Sequence, residues 1–209
     1  MVSPKKWVPL ESNPDVLNEF IGKLGLDGKY VFNDVFGLDA EMLGMVPQPV
    51  LAVIMCYPVT AQSDAPAKKG GAQQQQQQQQ QGSGGWVEDE EQAAKGAAAA
   101  PGVFYMKQTI GNACGTIAVL HAIGNNPDTL KPAEGSFLQQ FLGATAGMSP
   151  EAVGKFLEDP PPGAPDIEEA HKAAAAEGDT APPNAEDEVD LHFVALVERN
   201  GGCFLRPAV

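Results

Sequence analysis

Positive charge is scarce in this 209-residue chain. Lys and Arg number 13 against 27 Asp and Glu, so 13 − 27 gives a formal net charge of −14. Phosphate backbones require a basic face, which speaks against a nucleic-acid partner. An anionic membrane surface is disfavoured for the same reason. A basic partner and simple solubility are equally served by the acidic balance. Long apolar runs are missing too. The longest, VLAVIMCYPV from Val50 to Val59, is too short to span a bilayer and reads as a buried central strand. The opening MVSPKKWVPLESNP turns polar where a secretory signal needs an apolar stretch. Cysteine is limited to Cys56, Cys114 and Cys203, an odd number without framework spacing. Free thiols in a reducing compartment are expected, and no CxxC or His/Cys cluster suggests a metal. Neither metal nor cofactor is implied.

What is present suffices for one domain with a core. In ESNPDVLNEFIGKLGL, Asn13 suits a helix cap, Pro14 the first turn and Gly25 the exit. Val16, Leu17, Phe20, Ile21 and Leu24 form one stripe. YVFNDV reads as a strand and DAEMLGMV as a short helix. Residues 61–102 then change character, with nine glutamines between glycine-rich flanks. Such a stretch buries too little apolar surface to offset its ordering entropy, so it reads as a disordered insertion within a single domain. A helix is expected from about Asn112 to Asn125, and two more in GSFLQQFLG and SPEAVGKFLE. From Glu158 to Asp190 there are 11 acidic residues and one lysine, broken by prolines. This reads as a long acidic loop with one short helix near IEEAHKAAAA. DLHFVALVERN alternates as a strand, with Leu191, Phe193, Ala195 and Val197 on one face.

KQTIGNACGT, Lys107 to Thr116, carries the candidate chemistry. Asn112 as cap places Cys114 in the first turn of a helix, where free N–H groups favour a thiolate. Gln108 precedes it by six residues, and its amide suits an oxyanion donor. A distant histidine would be the base. On these residues alone, an inert core cysteine is the favoured reading. His121 reads as packing, His171 as a solvated loop residue, and His192 as the best base because it begins a buried strand.

MKQTIGNACGTIAVLHAIGNN resembles the active-site segment of the ubiquitin C-terminal hydrolases, a family of cysteine deubiquitinases. WVPLESNPDVLNEFIGKLGL, FNDVFGLDAEMLGMVPQPVLAVIMCYP and EVDLHFVALV resemble further family segments in the family's order. The resemblance implies a papain-like α/β (α+β) fold with a central, largely antiparallel sheet flanked by helices. It implies Cys114 as nucleophile, Gln108 as oxyanion donor and His192 as general base and acid. Residues 158–190 would be the crossover loop over the active site, which in this family restricts leaving groups to small adducts and flexible peptides. The partner implied is ubiquitin, whose basic C-terminal tail would face Glu11, Asp15 and Asp34. A monomer in the cytoplasm, with access to the nucleus, is expected.

The chain departs from the pattern near its end. The family orients its histidine with an aspartate on the following strand, yet no aspartate follows His192, and GGCFLRPAV stands in that place. The family's last strands and final helix are absent as well. The favoured reading is a catalytic domain incomplete at its C-terminus. A ubiquitin-binding form without cleavage and an inactive fragment are the alternatives.

Overall fold

A computed structural model describes residues 5–59, 102–185, 187, 189–199 and 201–207. The expected insertion at 61–102 lies outside the described residues apart from Gly102. Helix α1 spans Pro14–Leu24, and the Asn13 side chain accepts the Asp15 N–H at its start. Its stripe of Val16, Leu17, Phe20, Ile21 and Leu24 is buried, as the periodicity predicts. Gly25 ends it at φ 104°, and a Cβ there would collide with Ser136. Helix α2, Ala40–Gly44, follows, and then strand β1, Ala52–Pro58.

Helix α3, Cys114–Gly124, is the centre of the molecule. Every residue from Cys114 to Ile123 is buried, so the helix has no solvent face. Helices α4, Phe137–Ala144, and α5, Pro150–Glu158, start on the side-chain caps Ser136 and Ser149. Helix α6, Glu168–Ala175, precedes the hairpin of β2, Leu191–Arg199, and β3, Gly202–Pro207. The sheet is antiparallel in the order β1–β2–β3, with Cys56 opposite Phe193, Tyr57 opposite His192, and Glu198 opposite Cys203. Phe193, Ala195 and Val197 join α3 in the core.

Four expectations need correction. Residues 30–35 form no strand, because the Asn18 side chain satisfies their backbone instead: it accepts the Phe32 N–H at 2.6 Å and donates to the Phe32 carbonyl at 3.1 Å. Strand β1 is not buried on both faces. Among the described residues it is paired on one side only, and Val53 and Met55 remain 42% and 45% exposed; β2 is the central strand. Asn112 does not cap α3. It takes a left-handed φ of 60°, and Ala113 occupies the cap position without a side-chain bond. His171 is fully buried rather than solvated: Nε2–H donates to the Val8 carbonyl at 2.7 Å, and Nδ1 accepts the Thr116 hydroxyl at 2.8 Å. Burial lowers its pKa to about 4, so the ring is neutral.

Candidate active site

Cys114 is the first residue of α3, and its thiol is nearly enclosed at 6% exposure. Helix α3 packs on β2 through Gly115, where a Cβ would sit 3.6 Å from the Phe193 ring. This places the thiol against the backbone of β2. The Phe193 N–H, in the peptide that follows His192, points at the sulfur. That N–H and those of Gly115 and Cys114 itself favour the thiolate, but burial outweighs them and pushes the thiol pKa up. The N–H groups at the helix start act in the expected direction, and desolvation in this enclosed position opposes them more strongly.

His192 is half-buried near the start of β2. Its ring lies edge-on to its cross-strand partner Tyr57, with centroids 6.2 Å apart. The Cys114 thiol thus lies against the peptide that follows His192, although 78 positions separate the two residues in the chain (192 − 114). Glu198, on the same strand, accepts the Gly201 N–H at 2.7 Å and is committed to the hairpin turn.

Gln108 lies on the irregular segment that leads into α3. Helix α5 supports this segment: the Lys107 N–H donates to the Pro150 carbonyl at 3.0 Å, and the Thr109 hydroxyl donates to the Gly154 carbonyl at 3.1 Å. Gly154 has no room for a side chain, since a Cβ would run into the Lys107 carbonyl. The Gln108 Oε1 is buried without a hydrogen-bond partner among the described residues. The unpartnered atom is the acceptor end of the amide; it is the donor end, Nε2, that an oxyanion would need.

The three acidic candidates differ. Asp15 and Asp34 are exposed and have no ion-pair partner among the described residues. Glu11 is engaged with residues 179–180, and the Thr180 hydroxyl is the main cause of its lowered carboxyl pKa. Sequence reasoning missed Cys56. It faces α3 beside Phe193, and its thiol pKa is raised by burial and then by the Cys114 charge. A cysteine within an apolar run gives no signal for such a neighbour. Among the described residues, no group of three His, Cys, Asp or Glu side chains is placed to hold a metal, and no helix is long and apolar enough to cross a membrane.

The pattern of ubiquitin carboxyl-terminal hydrolase, family 1, matches residues 7–205. Ubiquitin carboxyl-terminal hydrolase 3 of Arabidopsis thaliana is 42% identical over 195 residues, covering 93% of this chain and 72% of the relative. A ubiquitin carboxyl-terminal hydrolase of Aplysia californica is 38% identical over 202 residues, covering 96% and 81%. In structure, the catalytic domain of Trichinella spiralis UCH37, solved bound to ubiquitin vinyl methyl ester, superposes with a TM-score of 0.59 at 16% identity. That match covers 97% of this chain and 74% of the other and supports the α/β papain-like arrangement.

Proposed function

The chain belongs to ubiquitin carboxyl-terminal hydrolase family 1, and from that premise we propose how its residues divide the work of a thiol-dependent deubiquitinase. The enzyme hydrolyses ester, amide and peptide bonds at the C-terminal glycine of ubiquitin. The observation that carries the reading is the meeting of Cys114 with the peptide after His192, inside a domain that matches the family from residue 7 to residue 205.

In this reading the Cys114 sulfur attacks the glycine carbonyl carbon as His192 takes the thiol proton. Burial pushes the thiol pKa up, so the chemistry relies on His192 to take that proton. The carbonyl oxygen becomes an oxyanion. The Gln108 amide and the Cys114 backbone N–H, at the start of α3, are the donors assigned to it. As the tetrahedral intermediate collapses, His192 returns the proton to the departing amine or alcohol, and a thioester remains on Cys114. Water, deprotonated by His192, attacks that thioester. Collapse releases the ubiquitin carboxylate and restores the thiol. Asp15 and Asp34 are assigned to the basic tail of ubiquitin. No cofactor enters any step.

The test uses ubiquitin carrying an electrophile at its C-terminus. Incubation with the chain should give a covalent adduct at Cys114 by mass spectrometry, and Cys114→Ala should give none. His192→Ala and Gln108→Ala should lower turnover of a ubiquitin amide by about 10²–10⁴-fold and 10²–10³-fold respectively. An adduct on Cys56 or Cys203 in place of Cys114 would sink the assignment.

A further inference from the structure

Resting on the assignment of Gln108 as oxyanion donor, we propose that His121 and Asn125 are positioning residues: they clamp residues 104–106 to α3 and so set Gln108 against the nucleophile on the same helix. Residues 103–109 belong to no helix or strand, so their backbone needs partners from elsewhere. The Phe104 N–H donates to the Asn125 Oδ1 at 2.8 Å, and the Asn125 Nδ2 donates to the Phe104 carbonyl at 2.9 Å. One side-chain amide thus satisfies both backbone groups of one residue, as a neighbouring strand would. The same Nδ2 donates to the His121 carbonyl at 2.8 Å, which ties the amide to its own helix. Two residues on from Phe104, the Met106 N–H donates to the His121 Nε2 at 3.1 Å. That role is open only to the neutral ring with its proton on Nδ1. The Tyr105 ring stacks on the imidazole, with centroids 5.1 Å apart and planes 26° from parallel. Gly124 lets the segment come close, since a Cβ there would run into the Phe104 ring.

His121 comes seven positions after Cys114 (121 − 114), and Asn125 comes eleven after it (125 − 114). At about 3.6 residues per turn, the three lie on one stripe of the helix. The helix therefore carries the nucleophile in its first turn and the clamp about two and three turns later. Both clamp side chains are buried, His121 fully and Asn125 at 1% exposure. Met106 is fully buried as well, and an unmet N–H there would be costly, so its bond to His121 resists release. Only Lys107 separates Met106 from Gln108, and the Lys107 N–H is itself held by the Pro150 carbonyl. A shift at Met106 is thus passed to Gln108 before any slack can absorb it.

The experiment measures turnover of a ubiquitin C-terminal coumarin amide by the chain and by His121→Gln, His121→Asn and Gln108→Ala, the last alone and combined with His121→Asn. A glutamine amide reaches the place of the imidazole Nε2, whereas an asparagine amide falls one methylene short. His121→Asn should lower kcat about 10–10²-fold with KM within about twofold, as a misplaced group at the reacting centre implies. His121→Gln should restore kcat to within about threefold. In the Gln108→Ala background, His121→Asn should cost less than about twofold, because the residue it acts through is gone. Alkylation of Cys114 by iodoacetamide forms no oxyanion, so its rate should stay within about twofold in His121→Asn. Should His121→Asn lose its cooperative urea transition, Gly124→Ala, which displaces Phe104 and keeps both clamp side chains, takes its place in the same comparison. Equal losses in His121→Gln and His121→Asn, or an undiminished loss in the Gln108→Ala background, overturn the clamp in favour of a purely structural histidine. A fall in alkylation that matches the fall in kcat overturns it in favour of damage to the Cys114 turn. Unchanged turnover in Gln108→Ala overturns the oxyanion assignment, and the positioning role with it. A damaging Gln108→Ala beside a silent His121→Asn sinks the clamp alone. Absence of turnover in the unaltered chain removes the proposed function and this role together.

Discussion

Residues 166–175 are held to the molecule by burial, whereas residues 176–185 are held by exposed hydrogen bonds and one ion pair. In the first stretch Ile167, His171, Ala174 and Ala175 enter the core against α1 and α3. In the second no residue is buried, and the fastenings include Lys23 on Glu177, and Glu11, Asn13 and Asn112 further along. The two stretches adjoin within one acidic segment, so charge does not separate them. Side chains that fill space resist release strongly and without direction, while exposed polar bonds are individually weak. A segment held the second way can open locally without opening the core.

The largest effect should come from the buried half. Ile167→Ala should lower stability by about 2–5 kcal/mol in urea unfolding. If it costs no more than Thr180→Val, which should stay under about 1 kcal/mol, the contrast between the halves fails. Next is the pH response of His171. Its pKa lies at about 4 in the folded chain against the ordinary 6.5, so the unfolded chain binds more protons between these values. Stability is complete above pH 6.5, and about 3 kcal/mol should be lost as pH falls to 4. His171→Gln should flatten that slope in urea titrations across pH; an unchanged slope would move the effect elsewhere.

Gly154→Ala asks whether burial also sets the site. The added methyl pushes on the Lys107 carbonyl, so we expect about 1–3 kcal/mol of destabilisation. Because Gln108 is the next residue, kcat on a ubiquitin amide should fall with little change in KM. A KM effect alone would mean that the push does not reach Gln108. Smallest is Asn13→Ala, which removes both the α1 cap and the bond to Asp179, at about 1 kcal/mol. Ser149→Ala removes a cap and no bond to Asp179. Equal losses in the two variants would show that the Asn13 bond to Asp179 adds nothing to stability.

Much of this was legible in local chemistry. The caps at Asn13, Ser136 and Ser149, the apolar stripe of α1 and the alternation in β2 follow from residue type and period. Cys114 in a first turn was equally readable. Long-range partners were not. Phe32 lost its strand to the Asn18 side chain, 14 positions away. His171 looked solvated because its neighbours in the chain are charged, yet its ring bonds Val8 and Thr116. Asn112 looked like a cap until a carbonyl 73 positions on claimed its amide. In each case one long-range hydrogen bond overrode a local preference, and local pattern carries no record of such bonds.

Trp7 stands against the His171 ring, with centroids 4.3 Å apart and planes tilted by 35°. Imidazolium quenches indole emission more strongly than neutral imidazole does. The molecule therefore carries an optical gauge of its buried histidine: Trp7 fluorescence should dim as that ring gains its proton, and it should recover once the N-terminal segment and α6 part company.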